Sequence, residues 1–289
     1  LETVVENEKW LIQPGEQRVI DLAGVRGLKV GLVRGRVDIV GHDGDEVRVE
    51  VHRVERKDLR ITLEGGLLHI DHPQMHWGNF LEGIKRLSFE QVRAEISIAV
   101  PRSTPLTLGV VDAEVLVAEL AATTRLSTVS GPLVVDGLLG DLDTNTVSGE
   151  VQVQGLVGSF DVNSVSGDVT VSGSLRRVSA KTVSGDIIVD ATGPVDRIAT
   201  NTVSGNATLR IDDGRPANLV LRTTSGAVQV DGVIISSRRP YTHTARIGEL
   251  AGSFVDVTTN SVSGDVTIVR RPLEGPQAGA PQQPGEAGA

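Results

Sequence analysis

Three histidines and one aspartate fall within eight residues in His69-Ile70-Asp71-His72-Pro73-Gln74-Met75-His76. Imidazole nitrogens and a carboxylate are the donors that zinc and related transition metals take. On a strand, His69 and Asp71 share one side, and His72 opens the following loop. His69, Asp71, His72 and His76 are therefore the metal-ligand candidates, set against the plainer alternative of a polar surface loop. No cofactor is expected. A second candidate is a recurring acid at Glu150, Asp168, Asp186 and Asp265, with Asn206 in the same repeat position. Carboxylates stacked at strand spacing repel unless they are solvated or bridged by a cation such as calcium. The plainer alternative is a set of polar residues shaping an exposed turn.

Other chemistry finds little support. The chain has 289 residues and no cysteine, which removes disulfides and thiolate metal sites. Its seven aromatics (four Phe, two Trp, one Tyr) are too few for sugar-stacking platforms along a groove. A polysaccharide-active enzyme would need those beside a carboxylate pair, so it ranks last. The recurring serines occupy one corner again and again, whereas a catalytic nucleophile is unique. No phosphate-binding glycine motif is present. A formal net charge of −9 opposes nucleic-acid binding. There is no long apolar run for a membrane-spanning helix and no signal-peptide pattern in this chain. A cytoplasmic location is therefore the expectation.

The elements that would position any site are set by a repeat. Val-Ser-Gly ends at Gly131, Gly149, Gly167, Gly185, Gly205 and Gly264, and Thr-Ser-Gly ends at Gly226. These glycines are 18, 18, 18, 20, 21 and 38 residues apart. Two and four residues after each glycine the chain is aliphatic, as at Val151 and Val153, and the residue between is in most copies polar (Gln152, Thr170, Thr208, Gln229, Thr267). That alternation marks a strand with one buried face. A second strand lies upstream, with an apolar residue seven before six of the seven glycines (Leu142, Phe160, Val178, Ile198, Leu219, Val257). The valines two before the glycine (Val129, Val147, Val165, Val183, Val203, Val262) are assigned to the core as well.

The expected fold is all-β: a single-stranded β-helix, or β-solenoid, of about 18–20 residues per coil, with a β-rich N-terminal excursion. The corner glycines are expected at positive φ, with the preceding serine bonding its own turn. Asn145, Asn163, Asn201 and Asn260 are expected to form partial ladders. Ala113–Val117 reads as a degenerate coil. Gly35–Gly41 matches Gly167–Gly173, so a first coil forms early, followed by alternating segments at Glu46–Val54, Leu59–Leu63, Leu67–Asp71 and Val92–Val100.

In outline, residues 1–20 are an N-terminal segment. Residues 21–112 hold the β-rich part, with a cap-like insertion at 72–91. Residues 113–270 are the regular solenoid, with an insertion near 234–249, and residues 271–289 form a disordered tail rich in Pro and Gly. The stretch Pro73–Gln91 gathers Met75, Trp77, Phe80, Ile84, Leu87 and Phe89. It reads as a cap on the solenoid end, with a partner-binding patch as the alternative.

The units Thr182–Val189 and Ser261–Ile268, together with Ile96–Ser103, resemble a bacterial family of β-strand-repeat proteins. That family carries an adhesin label and is classed as a domain of unknown function. The resemblance spans about residues 20–270 and implies a β-helix-like fold with no assigned catalytic residues. A weaker similarity is to bactofilins, cytoskeletal β-helices that polymerise end to end. The expected role is a non-enzymatic scaffold presenting stacked polar ladders to a protein or glycan partner. The alternative is a structural filament that self-assembles through the solenoid ends.

Overall fold

A computed structural model describes residues 8–73, 92–236, 240–248 and 254–272. Twenty-two strands, and no helix, are found among the described residues. The first seven are β1 (Glu8–Ile12), β2 (Arg18–Leu22), β3 (Gly27–His42), β4 (Val47–Glu55), β5 (Leu59–Glu64), β6 (Leu67–Asp71) and β7 (Arg93–Pro101). The middle holds β8 (Leu106–Ala118), β9 (Thr124–Ser130), β10 (Leu133–Asp136), β11 (Leu142–Thr146), β12 (Val151–Ser164), β13 (Val169–Thr182), β14 (Ile187–Ala191), β15 (Arg197–Thr202) and β16 (Ala207–Asp212). The last six are β17 (Ala217–Thr223), β18 (Val228–Val230), β19 (Val233–Ser236), β20 (Tyr241–Ile247), β21 (Val255–Ser261) and β22 (Val266–Arg271).

The architecture is all-β and solenoid-like. Val115, Leu133, Val151, Val169 and Ile187 pair in parallel, each 18 residues beyond the last. A second parallel ladder carries Thr124, Leu142, Phe160, Val178 and Ile198. The long strands β3, β8, β12 and β13 run through both ladders. Period-2 alternation turns one side chain in and the next out, so the core is a set of aliphatic files. Val151, Val169 and Ile187 are at most 1% exposed.

The early coil sits where the repeat placed it. Gly35–Val40 of β3 pairs in register with Ala113–Ala118 of β8. The four alternating segments that follow are β4 to β7. β6 and β7 pair in parallel with the two halves of β3, on the side away from β8. Both ends of the stack are closed by antiparallel strands. β5 and β4 reverse against β6 and β7, and β1 and β2 reverse again. At the other end β20 and β19 reverse against β17 and β18, within the region of the expected insertion. The cap-like segment lies outside the described residues from position 74 to 91, as does the tail from 273.

Stacking order departs from chain order at the C-terminal end. β21 and β22 lie between the coil of β15–β16 and the coil of β17–β18. The 38-residue spacing thus reflects a chain that passes beyond its final position, turns through β19 and β20, and comes back. Arg271 anchors the returning coil. Its guanidinium reaches Asp212 at 2.7 Å and, one strand further, Asp190 at 2.8 Å. Burial alone would raise the Asp212 carboxyl, but hydrogen bonds from Arg271 and the Gly193 amide hold it below its ordinary value. A cysteine pair tests the order. Thr208→Cys with Thr267→Cys joins neighbouring strands about 4.8 Å apart and should form a disulfide on mild oxidation. Thr208→Cys with Gln229→Cys spans two strand spacings, beyond the roughly 7 Å Cα limit. That pair should stay reduced, and the reverse result would restore chain order.

Candidate interaction surface

The recurrent corner between the two ladders is the most regular surface of the molecule. Its geometry starts with a hydroxyl three residues before each glycine. Thr146 Oγ1 accepts from the Gly149 amide at 2.8 Å and donates to the Gly149 carbonyl at 3.0 Å. Ser164, Thr202 and Ser261 do the same for Gly167, Gly205 and Gly264. Thr182 and Thr223 accept from Gly185 and Gly226. The local turn is therefore held by the buried hydroxyl at this position. The serine adjacent to the glycine works between coils: Ser148 Oγ donates to Val129 O, Ser166 to Val147 O, and Ser263 to Val203 O.

The glycines are needed for clearance. Of the seven, only Gly131 has positive φ, at 104°, which corrects the expected left-handed corner. A Cβ on Gly149, Gly167, Gly185, Gly205, Gly264 or Gly226 would collide with the carbonyl oxygen of the corner glycine in the adjacent coil. Left-handed backbone belongs instead to Gly137, Gly155 and Gly232, at 67°, 63° and 80°, where the first strand of the coil ends.

Outward residues form three parallel columns. On one flank the acidic column is engaged in the stack. Asp168 Oδ1 accepts the Asp186 amide at 2.9 Å, Asp186 that of Asn206, Asn206 that of Asp265, and Asp265 that of Ala227. These carboxylates act as turn acceptors from coil to coil. On the other flank Asn163 donates to Asn145 at 3.1 Å and Asn260 to Asn201 at 2.8 Å, giving the expected partial ladders.

Between these flanks runs the valine file, and here the sequence reading needs correction. Val147, Val165, Val183, Val203 and Val262 are 37–48% exposed. The corner residue before them points inward, so alternation turns them out. The inward members that the apolar pattern missed are threonines two residues farther back: Thr144 and Thr200 are fully buried, and Thr200 donates to Thr259 at 3.0 Å.

The histidine cluster does not converge. His69 lies half-buried on the outer side of β6, across from Lys29. Burial and the Lys29 charge lower its pKa. Asp71, on the same side, is held by both guanidinium arms of Arg60 at 2.7 and 2.8 Å. His72 turns inward to 1% exposure, with Nδ1 3.0 Å from Asp58 O, and burial lowers its pKa. His76 lies outside the described residues. Among the described residues, no group of three or more histidine or acidic side chains is placed to hold a metal ion.

A family model, Toastrack DUF4097, matches residues 31–269, which contain every turn of the corner. The chain belongs to this family. The chain also matches solved structures at low identity. A Clostridium sporogenes protein provisionally assigned to cell adhesion is 14% identical, covering 90% of this chain and 100% of its own, with a TM-score of 0.28. A Parabacteroides distasonis protein provisionally assigned to lipid binding is 13% identical over 89% and 96%, with a TM-score of 0.45. A Bacteroides fragilis protein provisionally assigned as an adhesin is 12% identical over 89% and 99%, at 0.41. No curated protein matches the sequence.

Proposed function

We propose that the chain is a non-enzymatic scaffold, a single-stranded β-helix of about 18–20 residues per coil, that holds a protein partner along the valine corner. The 18-residue offset between paired strands from Val115 to Ile187 supports the coil reading. The exposed valine file carries the functional one. Thr224 occupies the same corner position in its own coil, so the turn itself does not demand valine. Five β-branched apolar side chains at strand spacing give a stripe roughly 19 Å long. It is flanked by columns whose polar groups are already tied within the stack. The stripe offers no aromatic ring on which a sugar would stack, which favours protein over glycan. The serine hydroxyls donate to carbonyls of adjacent coils, a structural use that supports a non-catalytic corner.

A photo-cross-linking residue at Val165 tests this in the producing cell. It should trap one defined protein, while the same residue at Val19, near the closed N-terminal end, should not. Val183→Asp should abolish the adduct with a stability change within about 0.5 kcal/mol, since the site is exposed. No adduct at Val165, or one indifferent to Val183→Asp, would overturn the reading.

A further inference from the structure

Both ends of the stack finish on antiparallel strands, but they are not sealed alike. At the N-terminal end the inward residues Ile12 of β1 and Ile20 and Leu22 of β2 are 0–6% exposed, and Trp10 is half-buried. At the other end Tyr241, Ala245 and Ile247 lie opposite Thr223, Leu219 and Ala217, which puts them on the inward side of β20. All three are only partly buried, as is Val230 of β18. Val233, opposite Val230, is 65% exposed. The apolar core therefore opens to solvent at this end.

The edge strands differ in the same sense. An edge strand invites pairing with another chain, and proteins guard such edges with charge, proline or a bulge. β1 carries Glu8 and Lys9, and β2 carries Arg18 and Asp21. β20 carries one charge in seven residues, Arg246, and pairs with β17 without a break in register. β19, Val233-Ile234-Ile235-Ser236, carries none, though its ladder with β18 shifts register once. Among the described residues β20 pairs only with β17 and β19 only with β18, so each keeps an open edge.

The occupant that fits is a second copy of this chain, because β20 is self-complementary about Thr244. Turned antiparallel on itself, it sets Thr244 against Thr244, His243 against Ala245, Thr242 against Arg246 and Tyr241 against Ile247. No like charges meet, and threonine pairs and aromatic–β-branched pairs are favourable across strands. β17 and β18 belong to one coil, so β20 and β19 stand at the same level. One two-fold axis through both ladders therefore also brings together the β19 strands of the two copies and covers Val233. We propose that the chain forms a symmetric dimer through its C-terminal end, by edge pairing of β20 with β20 of a second copy. The sealed, charged N-terminal end takes no part, so assembly closes at two chains and does not run on into a filament.

The chain lacks cysteine, so a single introduced one reports the register. Thr242 and Thr244 are both exposed. Thr244→Cys meets its own copy at about 4.5–5.5 Å between Cα atoms, within disulfide range, and should give a covalent dimer on mild oxidation. Thr242→Cys lies four residues from its own copy, about 14 Å, and should run as a single chain on a denaturing gel. Sedimentation velocity of the unmodified chain should show mass rising with concentration from 30.5 kDa to twice that value and no further. Thr244→Lys should weaken association about tenfold, and mixing it with Thr244→Glu should restore a dimer of the two. Val19→Lys, at the other end, should change nothing. A single species of 30.5 kDa at every concentration would give the open end to some other chain and overturn the proposal. Equal cross-linking at 242 and 244, or growth past two chains, would overturn it as well.

Discussion

Gly167→Ala should destabilise the protein by more than about 2 kcal/mol in urea unfolding, although it adds one methyl group. The new Cβ would meet the carbonyl oxygen and carbon of Gly149 at less than 3 Å. Neither is the free end of a side chain. Both belong to a turn fixed by Thr146 within its own coil and stacked on Gly131 below. Relief requires the coils to part locally, which weakens ladder hydrogen bonds on both sides, including the closed pair between Ser164 and Gly167. Gly155→Ala is the internal comparison. Its φ is 63°, and the nearest atom to an added Cβ is Gly137 N at 3.4 Å. That substitution should cost about 1 kcal/mol of backbone strain. Equal losses at the two positions would mean that corner glycines serve conformation, as the sequence alone suggested, and not clearance.

The difference between those glycines shows where sequence reasoning stops. Spacing reveals that a position must be glycine. It does not reveal whether φ or a neighbouring backbone imposes the requirement, because the neighbour lies a full coil away. Aliphatic files two and four residues after the glycine were legible because chemical type and alternation agree there. Two residues before it they conflict. Thr146 is inward and Val147 outward, and the identity of valine outweighed its parity. The same preference for apolar identity hid the buried threonines.

Stacking order was illegible for a different reason. The corners ending at Gly226 and Gly264 are nearly the same, so either fits over Gly205 by local pattern. The observed order brings Arg271 over Asp212 and Asp190, contacts that span 59 and 81 residues. No window near the repeat contains that information.

Phe160→Ala should lose about 3–5 kcal/mol, the largest single side-chain effect in the stack. Phe160 is 1% exposed and heads the fully buried side chains by size. Its file runs Leu142, Phe160, Val178, Ile198, so one coil carries a ring where its neighbours carry aliphatics. A globular core can partly close over such a deletion by shifting one element toward another. Here the strands above and below are pinned at roughly 4.8 Å by hydrogen bonds along the file, and that spacing cannot shrink to fill the gap. Only movement across the core remains, which would drag Val162 and the Ser164–Gly167 corner with it. The cavity term should therefore persist nearly whole, and because each coil is supported by its neighbours, the loss should reach β11 and β13 as reduced amide protection. Phe160→Leu, which copies Leu142, should cost no more than about 1.5 kcal/mol. A loss below about 1 kcal/mol for the alanine variant, with protection unchanged in β11 and β13, would show that the coils can close across the core and that their spacing does not govern packing.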